Sequence, residues 1–284
     1  MRFVSYQLDG RRGLAVRRGD GLVDLGSLDL ADILARAPDE LQAIGASKGK
    51  QLDPAALRFR PPLARPPKIV CVGLNYVDHA AESPYKTVPD YPAFFPRFAS
   101  SLVGHQDPII RPSVSEQLDF EGEVAAVIGK GGHRISRERA LDHVAGYSIF
   151  NDASLRDYQF KSPQWTVGKN FDGTGAFGPE FVTADELPRG AAGLRIETRL
   201  NGNKVQGANT NDLVFSVADL VFFASEVFTL EPGDVIVTGT PAGVGFARKP
   251  PLFMKAGDVC EVEVEGLGIL RNPIQDEAKT SVAA

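Results

Sequence analysis

The sequence predicts a mixed α/β, strand-rich protein, with a small N-terminal α+β unit (1–64) ahead of a larger domain (65–284). Three observations predict this class. Apolar runs of strand length recur at 69–72, 144–150 and 235–238. Turn signals such as Asp9-Gly10 and Asn201-Gly202 lie between strand-like segments. Pro61, Pro62, Pro66 and Pro67 break regular structure where the two units would join.

In the first unit, residues 3–8 and 13–17 read as strands around the Asp9-Gly10 turn, with a second turn at Gly19-Asp20-Gly21. Residues 30–37 read as a short helix stopped by Pro38, and a second helix runs from Asp39 into the forties. The larger domain begins with a buried strand through Cys71. The segment 77–82 reads as a brief helix, on which His79 and Glu82 are neighbours three apart. A carboxylate there can orient an imidazole as a general base, or the two can form a plain surface pair. Residues 83–96 are rich in Pro and Tyr without periodicity, as in a lid.

Leu118-Asp119-Phe120-Glu121-Gly122-Glu123 has an acid at every second position and leads into the apolar 124–128. As one strand it puts Asp119, Glu121 and Glu123 on one face. Three like charges repel, and burying them costs several kcal/mol, which a hard ion such as Mg²⁺, Mn²⁺ or Ca²⁺ would offset. A solvated edge strand fits the same pattern. Ser136 is placed to cap a helix over 136–142, with Arg139 outward. The strand 144–150 leads into Asp152, either a further metal ligand or the cap of a helix over 153–160. On such a helix Asp152, Arg156 and Gln159 share a face. Lys169, among apolar and glycine residues, is either an electrophilic contact for an anion or an exposed loop lysine.

Residues 194–200 and 204–206 form a hairpin, 213–230 an amphipathic helical region, and 235–238 a buried strand. The loop from Gly239 to Gly245 lacks the Gly-Lys-Ser/Thr of a phosphate loop. Its amides and Thr240 can hold a carboxylate, or it is a tight structural turn. A last hairpin covers 259–271, and the tail after Pro273 frays.

Composition excludes several classes. A net charge of -5 over 284 residues gives no reason to expect nucleic acid. No apolar run reaches the length of a membrane span, and the N-terminus lacks a signal-peptide core, so a cytoplasmic location is expected. Cys71 and Cys260, each beside valine, read as buried free thiols in strands, with no Cys-x-x-Cys zinc pair. The nucleophile elbow of serine hydrolases and the Gly-x-Gly-x-x-Gly of dinucleotide sites are both missing.

Taken together, residues 70–82, 118–123, 146–154, 156–159, 168–172, Gly178-Pro179 and 232–245 resemble, in this order, the fumarylacetoacetate hydrolase family, over about 68–270. The resemblance implies mixed β-sheets rolled into a flattened barrel and a homodimer. It implies one Mg²⁺ or Mn²⁺ per subunit, held by Glu121, Glu123 and Asp152, with Asp119 behind them. It implies a His79–Glu82 dyad on a closing lid, and contacts from Lys169, Arg156, Gln159, Gly239 and Thr240 to a 2-oxo carboxylate substrate. Leu155, and Thr174-Gly175-Ala176-Phe177, depart from the family pattern at positions that can reshape the pocket.

The activity this implies first is hydrolysis of the C–C bond of an acylpyruvate-type 2,4-dioxo acid, giving pyruvate and a carboxylic acid. Lys169 would stabilise the developing oxyanion, and His79, oriented by Glu82, would activate water. Oxaloacetate decarboxylation, or isomerisation, hydration or dehydration of a related 2-oxo acid, would use the same groups. A non-catalytic binding protein on this fold would be expected to lack some ligand residues, and here each position is filled.

Overall fold

The strand Gly122–Ile128 is apolar at successive positions from Val124 on because each of its faces closes a different core. Val124, Ala126 and Ile128 pack with Ile196, Val262 and Leu270 and with Leu220, Val221 and Ala224. Ala125 and Val127 face the other way, into a cluster with Phe3, Leu14, Val16, Leu30 and Ile33 from the N-terminal unit. These relations come from a computed structural model that describes residues 1–36, 38–84 and 88–278.

Among the described residues the main sheet has twelve strands, ten on one path and two beside it, Arg58–Phe59 against Arg2–Leu8 and Leu102–Val103 against Gly175–Thr183. Its path runs Gln51–Leu52, Gly21–Asp24, Arg11–Arg18, Arg2–Leu8, Gly175–Thr183, Val144–Asp152, Gly122–Ile128, Val235–Val237, Ile69–Gly73, Ala93–Pro96. The N-terminal hairpin therefore shares a sheet with the larger domain, joined where Arg2 and Phe3 pair with Val182 and Phe181. A second sheet of five strands, Asn203–Asn209, Arg195–Leu200, Val259–Val264, Gly268–Asp276 and Ile109–Arg111, covers the other face. The helix Val217–Val227 is started by a capping box in which Ser216 and Asp219 bond each other's backbone amides. That cap places its start later than the expected 213. Among the described residues no helix is long and apolar enough to cross a membrane.

Several local expectations change. The acidic stretch is not one strand. Leu118–Asp119 pairs with Ser154–Leu155, and the main-sheet strand starts only at Gly122. At the break, Asp119 Oδ1 accepts the amide of Phe120 at 2.8 Å. The same two-residue pairing shortens the helix expected over 153–160 to Arg156–Gln159. Pro38 opens the second N-terminal helix, Pro38–Gly45, as proline suits a first helical position; Ala37 lies outside the described residues. The segment after Ser136 is a 3₁₀ turn, Arg137–His143, without a side-chain cap from Ser136. The end of the expected lid is sheet, since Ala93–Pro96 pairs with Ile69–Gly73, and residues 85–87 lie outside the described residues. The last hairpin extends to Asp276, past the proline where fraying was expected, and 279–284 lie outside the described residues.

The two sheets approach each other closely at Gly122. A Cβ there would lie 2.2 Å from Thr198 Oγ1 and 2.9 Å from Val262 Cγ1. Gly122→Ala is therefore expected to destabilise the chain by about 1–3 kcal/mol, lowering the Tm by several degrees. An unchanged Tm in calorimetry would mean the sheets can part there without cost.

Candidate metal centre and active site

Strand pairing assembles the acidic cluster. Gly122 is registered against Asn151, Asn151 Oδ1 accepts the Glu121 amide at 3.0 Å, and the Asp152 amide donates to the Glu121 carbonyl at 2.9 Å. The start of one strand and the end of its neighbour thus bring Glu121, Glu123 and Asp152 together. All three are buried, with one carboxylate oxygen of each within 4.8 Å of the others.

Such a cluster must be compensated. Lys169 Nζ lies 2.5 Å from Glu121 Oε2 and 2.6 Å from Asp152 Oδ2. Arg156 lies 2.6 Å from Glu121 Oε1 and donates from Nε to Asp119 Oδ2 at 2.8 Å. Arg97 pairs with Asp152 Oδ1 and donates to Thr174 Oγ1 at 2.7 Å; both charged side chains are wholly buried. Burial pushes the Glu121 carboxyl up, yet Lys169 and Arg156 outweigh it and hold the group down at about 2. Lys169 is raised, because Asp152 and Glu121 overcome the cost of burying its charge.

Glu123 is the exception. Burial first, then Asp152 and Glu121, push its carboxyl well above the ordinary range. Among the described residues it pairs with no cation and accepts only the Gly239 amide, at 2.5 Å. Four buried carboxylates, Asp119 included, thus face the three buried cations Arg97, Arg156 and Lys169. An unbalanced all-oxygen cluster is the donor set of a hard divalent ion, and these residues fit Mg²⁺ or Mn²⁺.

The glycine-rich loop is a receptor for the protein's own anions. Besides the Gly239 amide on Glu123, the Gly243 amide reaches both Glu82 oxygens at 3.1 and 3.0 Å. The amides of Gly245 and Phe246 donate to Asp119 at 2.7 and 2.9 Å. Gly239 and Gly243 have φ of 102° and 101°, which L side chains rarely adopt. The loop amides expected to meet a carboxylate do so, but the carboxylates belong to this chain.

Through Glu82 the loop also positions the dyad. His79 and Glu82 lie on the helix Val77–Glu82, with His79 Nδ1 2.9 Å from Glu82 Oε1. His79, Glu82, Glu121, Glu123, Arg156, Gln159, Lys169 and Thr240 line one cavity. Gln159 accepts from Arg156 Nη1 at 2.8 Å. Val72, Phe95, Phe160, Trp165, Val244 and Phe246 give the same cavity an apolar part. Ser83 and Pro84, from the start of the expected lid, also line it. Lys169 is buried against the carboxylates rather than exposed in a loop.

Sequence reasoning missed Arg97 and Gln206. Arg97 follows an edge strand in a proline-rich segment, where nothing signals a buried ion pair. Gln206 lies on the return strand of a hairpin, and its donors and acceptor are spent inside the site (2% exposed). Of the two departures from the family pattern, Leu155 is buried in the core, and Thr174 accepts from Arg97 while donating to the Phe171 carbonyl at 2.7 Å.

Two sheets packed over a buried acidic cluster, with a histidine–glutamate pair lining the same cavity, fit a class of metal-binding enzymes. The family model for the C-terminal domain of fumarylacetoacetate (FAA) hydrolase matches residues 68–275, and the chain belongs to the fumarylacetoacetate hydrolase family. It is 42% identical to a mitochondrial oxaloacetate tautomerase of Xenopus laevis, over 96% of this chain and 90% of that protein. Among solved structures it is similar to a fumarylacetoacetate hydrolase from Exiguobacterium antarcticum, with a TM-score of 0.85 and 35% identity over 98% of this chain and 100% of that one. It is also similar to a maleylpyruvate hydrolase from Sphingobium sp. SYK-6 in complex with manganese(II) and pyruvate. There the TM-score is 0.82 and the identity 27%, over the same shares of the two chains.

Two predictions follow from the charge balance. A carboxyl raised in the folded state costs stability as pH climbs from the ordinary carboxylate range through its raised value. Glu123→Gln should therefore raise the Tm of the metal-free chain by a few degrees at neutral pH, with the gap closing in acid. It should also remove the thermal shift caused by Mn²⁺. Scanning fluorimetry at several pH values, with and without Mn²⁺, reads both; a surviving Mn²⁺ shift would remove Glu123 from the ligand set. Separately, Arg97→Leu leaves Asp152 short of a buried partner and should cost about 3–5 kcal/mol in urea denaturation. A loss below about 1 kcal/mol would show that Lys169 suffices.

Proposed function

We propose that the chain is a Mg²⁺- or Mn²⁺-dependent enzyme that interconverts the keto and enol forms of oxaloacetate. The observation that carries this reading is the similarity to the Xenopus laevis tautomerase, which runs over 96% of this chain and so includes the dyad, the acidic cluster and the loop. Glu121, Glu123 and Asp152 would hold the ion. When bound, a divalent ion supplies Lewis acidity toward a 2-oxo carboxylate and the positive charge that four carboxylates facing three cations lack.

The remaining chemistry belongs to side chains. Glu82, itself held by the Gly243 amide, accepts from His79 Nδ1 and leaves Nε2 as the base. Nε2 takes a proton from C3 of the substrate as the C2 carbonyl becomes an enolate. Return of a proton to the C2 oxygen gives the enol, and return to C3 regenerates the ketone. No carbon–carbon bond breaks and no water is consumed. Arg156 and Lys169 place positive charge beside the developing oxyanion. Trp165, Phe95 and Phe160 keep water from the apolar side.

A second reading is hydrolysis of an acylpyruvate. It is favoured by the Sphingobium sp. SYK-6 maleylpyruvate hydrolase, which holds manganese(II) and pyruvate, the 2-oxo acid that such a cleavage releases. His79 would then deprotonate water instead of C3.

The two readings separate in one assay. Loss of enol absorbance from fresh oxaloacetate is followed with Mg²⁺ or Mn²⁺ and again with excess chelator, while pyruvate is read by a coupled dehydrogenase. Metal-dependent enol loss without pyruvate is the expected result. Pyruvate from acetylpyruvate, with no effect on oxaloacetate, would replace the proposal by the hydrolase reading. Under either, His79→Ala should slow turnover by roughly 10²–10⁴-fold and leave the Kd for Mn²⁺ unchanged in calorimetric titration. A weakened Mn²⁺ affinity would move His79 into the metal site.

A further inference from the structure

The hydrogen bonds around Gln206 restrict what Thr240 can offer a ligand. The Gly122 N–H can only donate, and it meets Gln206 Oε1 at 3.1 Å. The Pro241 carbonyl can only accept, and it meets Gln206 Nε2 at 2.8 Å. Two independent partners therefore set which end of the amide is which. The other hydrogen of Nε2 goes to Thr240 Oγ1, at 2.8 Å. The proton of Thr240 is committed in turn to the Gly122 carbonyl, at 3.0 Å, because that oxygen can only accept. Thr240 lines the cavity, and the one position its hydroxyl has left unpaired is a lone pair.

We propose that the Gly122 carbonyl, by holding the Thr240 proton while Gln206 fills one lone pair, makes Thr240 an acceptor, and that the pocket thereby selects a substrate hydroxyl, holding an enol more tightly than its ketone. This rests on the oxaloacetate reading for its physiological substrate, but the local chemistry does not. Three other side chains of the pocket work in the opposite sense. Arg156 and Lys169 are donors, and Gln159 has its oxygen on Arg156, which leaves its NH₂ group to donate. The ketone of a 2-oxo acid has only acceptors to set against the Thr240 lone pair. Its enol carries one O–H, which fits.

The test uses ligands that share a carbon skeleton and differ at C2. The Mn²⁺-loaded chain is titrated calorimetrically with L-lactate, D-lactate and pyruvate, as wild type, Thr240→Ser, Thr240→Val and Thr240→Ala. The expected outcome is a shift of the lactate-to-pyruvate affinity ratio toward pyruvate by about 3- to 10-fold in Thr240→Val, the worth of one hydrogen bond. The shift should appear with the better-bound enantiomer, and Thr240→Ser should restore the wild-type ratio. Thr240→Ala removes the same acceptor and should shift the ratio the same way. Equal weakening of all three ligands, or an unchanged ratio, in Thr240→Val overturns the proposal. If that variant does not fold, an unchanged ratio in Thr240→Ala does so. Oxaloacetate turnover by the wild type, measured alongside, keeps the two ideas apart. A shifted ratio without turnover leaves the acceptor role standing and removes the substrate assignment. Turnover with an unshifted ratio removes only the acceptor role.

Discussion

Four carboxylates held out of water in one small volume would drive the surrounding strands apart unless each found a partner, and the architecture near the pocket follows from how they are partnered. Arg97, Arg156 and Lys169 are drawn in from three separate segments, and each spans or ties down part of the cluster. The division is uneven. Glu121 has two cations on it and is held ionised, while Glu123 has none and resists ionisation. That asymmetry marks the place where a further positive charge belongs, and it lies at the floor of the cavity where the dyad opens.

The glycine-rich loop extends the same logic to the dyad. Its amides bind Glu123 in the cluster, Asp119 behind it and Glu82 at the mouth. One backbone segment therefore ties the His79–Glu82 pair to the acidic cluster. A shift of the loop would move the His79 ring and the Glu123 carboxylate together. The loop can do this because the strand Val235–Val237 leading into it is locked between Gly122–Ile128 and Ile69–Gly73, with both faces buried. The N-terminal unit contributes by closing the far face of the same sheet, where Phe3, Leu14 and Ile33 meet Ala125 and Val127.

Much of this was legible residue by residue. The continuous apolar runs at 69–72, 144–150 and 235–238 read correctly as strands buried on both faces, and the i, i+3 spacing of His79 and Glu82 anticipated their contact. What failed had a common cause. The acidic alternation from Asp119 to Glu123 looked like one strand, but Ser154 and Leu155 draw Leu118 and Asp119 into a separate pairing. The loop looked ready for an outside carboxylate, but Glu82, Asp119 and Glu123 reach its amides first. Arg97 could not be found at all, since an arginine's spacing from its neighbours carries no sign of a partner 55 positions away.

By itself the sequence determined the inventory: which ionisable groups exist, which stretches are apolar enough to be buried, and which local spacings put two side chains on one face. Those are properties of composition and of the helix and strand periods, which act over a few residues. Tertiary structure alone decided which carboxylate went without a cation, which amides were already spent, and that the Thr240 hydroxyl was left with a lone pair and no proton. Coulomb energy and hydrogen bonding depend on distances of a few ångströms between groups far apart in the chain. Only the register of Gly122 against Asn151, and the path of the loop beyond Val237, set those distances.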